Sequence, residues 1–190
     1  MDLYPYAKYV HLFALFIAAG VTAVTKLAAG RRMRARTVGE ALEWHNTLMA
    51  AAKLFPICLL VLAITGGYMM SVTHVVPSSG FVVAGMLAIV WLFASGAFLG
   101  IKGGGLKRAL EGMAANGADQ SVPKMAPPAA VVLLPTINTG VAAAVALDMV
   151  VKPTSIPVAL GIVAVGVVVG VLAAPKPAVV AAQPAVATEG

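Results

Sequence analysis

Cysteine is nearly absent from this chain. Cys58 stands alone in an apolar run, so no intrachain disulfide can form and no cysteine-based zinc cluster exists. Charge is scarce too, at 11% of residues with seven acids, and no two carboxylates share an apolar stretch where they could act as an acid and base pair. No serine sits in a nucleophile elbow. Gly103-Gly104-Gly105 follows Lys102 without a preceding strand and without a following Lys-Ser or Lys-Thr, which excludes a phosphate loop. Aromatics make up only 6% and do not interleave with the basic residues. A formal charge of +6 therefore does not point to nucleic acid.

What the chain has in abundance is apolar sequence. With 61% hydrophobic residues and a mean hydropathy of +0.96, it lies outside the range of water-soluble domains, and lipid is the solvent that suits it. A hydrocarbon core takes roughly 17 to 25 apolar residues to cross as a helix. Five stretches qualify, at about 9–29, 54–73, 81–101, 126–147 and 153–174. The expected fold class is therefore all-α, a polytopic transmembrane bundle of five helices forming one domain over 1–175, with a disordered cytoplasmic tail at 176–190. The first stretch has only Lys8 before it and a dense basic cluster after it, the reverse of a secretory signal, so it is expected to be a retained helix.

Five crossings divide the cations unequally. Lys8 and Lys152 fall on one side, and the other eleven lysines and arginines, including Arg31, Arg32, Arg34 and Arg36, fall on the other. The positive-inside rule then puts the N-terminus outside and the C-terminus in the cytoplasm, in the inner (plasma) membrane. Prolines at 127, 128 and 135 and the short link from Asp148 to Lys152 leave a re-entrant pair open for the last two stretches.

Between the first two stretches, Thr37-Val38-Gly39-Glu40 matches a capping box that should start the second helix on the cytoplasmic surface. Trp44 is expected at headgroup level, and His45 beside it as a solvated interfacial histidine. Residues Leu106 to Met113 carry a short helical pattern expected to lie on the membrane. Asp148 is expected to pair with Lys152 or with water.

Several groups could carry function. Gly96 and Gly100 in the third stretch, and Gly166 and Gly170 in the fifth, form GxxxG sites that suit either packing within the chain or a homodimer. On the outer side His11 lies a turn inside the first stretch, and Met70 and His74 lie a turn apart at the end of the second. Two imidazoles from antiparallel neighbours can ligate haem iron, and imidazole with thioether can hold copper. Gly66 and Gly67 beneath that face would leave room for a flat group or a close neighbour, and Tyr4, Tyr6, Tyr9 and Tyr68 lie at the same level as an ordinary aromatic belt. In the fourth stretch Thr136, Asn138 and Thr139 follow Pro135, as polar groups beside a helix break do both in simple backbone repair and in transporter sites.

Tyr9-Val10-His11-Leu12-Phe13, a basic loop, Lys53-Leu54-Phe55-Pro56 and Thr65-Gly66-Gly67-Tyr68 follow one another in an order that resembles uncharacterised bacterial integral membrane proteins related to the copper-resistance D domain. The likeness spans about residues 8 to 110 and extends remotely to membrane-bound protoporphyrinogen oxidases. It implies a haem- or copper-associated helical membrane protein, with His11 at the best-matching position. The chain departs from the oxidase pattern in having no lysine at the centre of the third stretch, Lys102 lying at its inner end. Three roles are thereby expected: a haem b or copper binder, an accessory subunit of a larger membrane complex, or a small-solute transporter.

Overall fold

The N-cap of the capping box forms, and its return bond from Glu40 goes to the Arg36 amide instead of that of Thr37. Thr37 adopts an extended N-cap conformation and its hydroxyl accepts from the Glu40 amide at 3.2 Å, while the Glu40 carboxylate accepts from the Arg36 amide at 3.0 Å. In this computed structural model, which describes residues 3–117, 119–122 and 128–175, everything beyond such junctions is helical. The expected tail at 176–190 lies outside the described residues.

Six helical segments follow one another: α1 (Tyr4–Arg34), α2 (Val38–Ala52), α3 (Leu54–Val72), α4 (Gly80–Ala115), α5 (Ala129–Val151) and α6 (Ile156–Leu172). The α2–α3 boundary is a one-residue interruption at Lys53, which keeps right-handed helical dihedrals. Pro56 explains it. A proline has no amide hydrogen to offer the carbonyl four residues back, that of Ala52, so the ladder breaks there without the rod ending. Five rods result, as the all-α expectation requires.

Four of these rods are long and apolar enough to cross a membrane: Tyr4–Arg34, Val38–Val72, Gly80–Ala115 and Ala129–Val151. Helix α6 is equally apolar but has 17 residues, at the lower limit of what reaches across the hydrocarbon. It starts three residues later than the expected stretch because Pro153, Thr154 and Ser155 form the turn that brings it back on α5. Lys152 caps α5 in the left-handed conformation, at φ 51°.

Packing divides the rods. Helices α1 and α3 lie against each other, α4, α5 and α6 form a second group, and α3 touches α4 only sparsely. The α5–α6 contact is backbone against backbone. A Cβ on Gly140 or Gly166 would overlap the carbonyl of the other, and one on Gly170 would come within 2.7 Å of the Ile137 Cα. Gly166 and Gly170 are thus consumed inside the chain, which corrects their alternative assignment to a homodimer face. Small residues perform this role in lipid, where apolar burial drives little association and close approach must supply it.

Helix α4 does not end with its apolar stretch. Instead of bending at the glycine triplet to lay Leu106–Met113 on the membrane, it runs straight to Ala115, and Leu110 joins Val38 and Ala41 in a small buried core. Leu106, Met113 and Val122 pack against that core. The segment around Gln120 and Val122 seals it through Val38 N to Gln120 O at 3.0 Å and Val122 N to Arg36 O at 3.3 Å. The expectation failed because the apolar face of that segment has a protein partner in α2, so it need not turn to lipid.

Candidate functional site

Three polar constellations sit on this frame. The first joins the basic end of α1 to the middle of α2 and the inner part of α4. Arg32 Nη1 donates to His45 Nδ1 at 2.8 Å, and His45 Nε2 donates to the Gly103 carbonyl at 3.0 Å. A guanidinium only donates and a carbonyl only accepts, so the imidazole is fixed as the neutral Nε2–H tautomer. His45 is 1% exposed, which corrects the expected solvated state. Burial lowers the His45 pKa. The Gly103 carbonyl opposes that shift, and the positive charges of Arg32 and Lys107 add to it. Burial also lowers the Arg32 pKa. A Cβ on Gly103 would lie 2.7 Å from Met49 Sδ and 3.9 Å from His45 Cε1, so the flexible Met49 side chain fills the space that the glycine leaves where α2 meets α4. Outside the clamp, the Arg31 guanidinium lies 5.9 Å from the centre of the Trp44 ring, and Lys107 pairs with Glu111 at 3.5 Å.

The second is on the α1–α3 contact. Thr65 Oγ1 spends its only proton on the Val61 carbonyl at 2.6 Å, so the 2.8 Å contact with His11 Nδ1 is donated by the ring. The other nitrogen, Nε2, is left as the acceptor. The ring lies over Gly66, its Cε1 3.5 Å from where a Cβ would stand. The space expected there for a flat group is occupied by His11 itself. An apolar groove of about 340 Å³ runs beside the contact, lined by Leu3, Tyr6, Ala7, Val10, Ile64, Thr65 and Tyr68.

His74 is not brought to His11. It sits on the exposed turn after α3 with φ 53°, and at about 1.5 Å of rise per residue the end of α3 is already about 10 Å beyond the level of Thr65. Met70 is half-buried and uses its backbone carbonyl to accept from the Val75 amide at 3.3 Å. Among the described residues no group of three or more His, Cys, Asp or Glu could hold a metal ion.

The third lies between α4 and α5. Asn138 Oδ1 accepts from Trp91 Nε1 at 3.0 Å and from Ser95 Oγ at 3.1 Å. Thr136 and Thr139 bond carbonyls of their own helix, those of Leu133 and Pro135, at 2.8 Å each. The polar residues after Pro135 therefore split into backbone repair and one interhelical clamp.

Two further placements differ from expectation. A Cβ on Gly96 or Gly100 would meet nothing within 4 Å, so these two glycines are not used in packing within the chain. Asp148 is 0% exposed and neither carboxylate oxygen has a hydrogen-bond partner among the described residues, in place of the expected pair with Lys152. The buried roles of His45 and Asp148 escape sequence reading because their surroundings come from other helices. The one local hint was the basic run preceding His45 in a chain of few charges.

No family model matches this chain, and neither a curated protein nor a solved structure does, so an all-α chain with four candidate membrane spans is what stands, with no family assigned.

Proposed function

We propose that the protein is a multi-pass subunit of an inner-membrane assembly, attached to its partner through the α4 face that carries Gly96 and Gly100. One observation carries this reading: of two small-residue sites of the same spacing, the α6 pair is filled by α5, while the α4 pair is open. In lipid an open glycine face is where another helix approaches most closely. Helix α3 adds support, since it buries only Cys58 and Leu59 along 19 residues. The basic pole, with Arg32, His45 and Gly103, faces the cytoplasm in this reading, and α6 completes a fifth crossing. A photo-crosslinking residue at position 100, in cells expressing the full chain, should give a defined covalent product. Only crosslinking to lipid would reject the attachment.

A second reading has its own support. A histidine whose Nδ1–H is held by an oxygen is oriented as metal-ligating histidines are, and Thr65 does this for His11. The fit is partial: His11 would offer Nε2 to a haem iron, and His74, on the exposed turn after α3, stands apart from it. Haem would bring redox chemistry, and the chain would contribute the orientation of one ligand. Copper fits less well, since Met70 and His74 meet no third donor among the described residues. Detergent-purified protein showing a Soret band that His11→Ala removes would support the haem reading, and a colourless preparation from haem-replete cells would reject it. A solute path through Asn138 gains nothing from the geometry, because its carbonyl is used by Trp91 and Ser95.

A further inference from the structure

Asp148 is the one acid of the apolar helix α5. It shares a face of α5 with Val141 and Ala144, the buried positions of that helix. The antiparallel register that sets Gly170 against Thr136 and Ile137, and Gly166 against Gly140 and Ala144, places Asp148 at the level of Ala159 on α6 when continued outward. A Cβ on Gly85 would lie 3.0 Å from Met149 Cε, so Ala84 and Gly85 of α4 are at the same level. Ala84 and Ala159 are 1% and 0% exposed, so the carboxyl group is closed in where three helices converge on small side chains.

Among the described residues of these helices nothing charged answers it. Helix α6 has no ionisable residue, α4 has none before Lys102 at its far end, and α5 has none besides Asp148 itself. Lys152 on the connecting turn is exposed, and no ion pair joins it to Asp148. Backbone donors at the start of α4 are also spent. The Gly80 amide bonds Thr154 O at 2.8 Å, the Phe81 amide bonds Pro153 O at 3.0 Å, and those of Val82 and Val83 bond Ser79 O. The N-termini of α4 and α6 both lie nearby and their dipoles favour a negative charge, but each contributes less than the hydration that a buried carboxylate forfeits. A neutral acid avoids that loss.

We infer that Asp148 is a proton-binding site enclosed by α4, α5 and α6, held as the carboxylic acid while the three helices are packed. Intramembrane acids without a structural partner mark proton or ion sites. In this chain the ligand is the proton, because Ala84, Gly85 and Ala159 at this level bring no side-chain oxygen that could share a metal cation with Asp148. Ionisation requires water or a counter-charge to enter between the helices, so proton occupancy and closure of this end are linked.

The test uses the full chain in lipid vesicles with isotope-labelled aspartate, of which there are three, Asp2, Asp119 and Asp148. Infrared spectra at neutral pH should contain one protonated-carboxyl band, lost in Asp148→Asn. A hydrophobic carbodiimide should label residue 148 in the wild-type chain: the acid proton moves to a carbodiimide nitrogen, the carboxylate oxygen adds to the central carbon, and the adduct rearranges to a stable N-acylurea. Should the Asn variant fail to fold, peptide mapping of the wild-type adduct still assigns the band to residue 148 or to another aspartate. Three ionised aspartates at neutral pH, or a protonated band assigned to Asp2 or Asp119, would overturn the inference.

Discussion

Arg32 reaches His45 across thirteen residues of sequence and donates to its Nδ1 at 2.8 Å, while the opposite ring nitrogen holds the Gly103 carbonyl. One imidazole thus ties α1, α2 and α4 together at the basic pole. Removing it leaves the half-buried Arg32 guanidinium without this partner, at a cost of about 1–3 kcal/mol, while the Gly103 carbonyl keeps only its place in the α4 ladder. His45→Ala should lower the unfolding midpoint in detergent clearly, and an unchanged midpoint would show that the clamp contributes nothing.

The same clamp sets a pH dependence. Burial holds the folded His45 pKa below the ordinary 6.5. The unfolded chain therefore binds the extra proton first. The stability from the neutral ring is present in full above about 6.5, the unfolded value, and is lost as the pH falls through the folded value. Thermal melts across this range should show a decline on acidification that His45→Phe removes.

Gly103→Ala should be close to neutral in stability, because the added carbon, 2.7 Å from Met49 Sδ, displaces only a flexible side chain while the helix gains about 1 kcal/mol from losing a glycine. A loss above about 1 kcal/mol, restored by Met49→Ala in the same background, would show that Met49 cannot move aside. Differential scanning of the two variants decides it.

Asn138→Leu removes the acceptor shared by Trp91 and Ser95. Hydrogen bonds between membrane helices average about 0.6 kcal/mol and reach about 2 kcal/mol, so a modest loss of stability is expected and collapse is not. Unfolding in mixed micelles measures it.

Much of this architecture was legible in advance, for reasons that differ by segment. The spans were readable because a helix in lipid must be long and apolar, and α1, α4 and α5 could hardly be anything else. Thr37 and Glu40 were readable because a capping box is local. The extension of α4 to Ala115 was not, since its apolar face is answered by Val38 and Ala41, far away in sequence. His11 stood out as a histidine inside an apolar run, but its partner Thr65 is 54 residues away and no spacing rule connects them. Nor could sequence separate the two GxxxG sites. Gly166 is filled because Gly140 happens to face it, and nothing faces Gly96.

That difference between two like motifs carries the functional proposal and can be tested in one comparison. Photo-crosslinking residues placed singly at positions 100 and 170 of the full chain, in native membranes, should give a covalent partner product at 100 and none at 170, where Ile137 and Thr136 already lie against the glycine. A partner product at 170, or none at 100, would contradict the account.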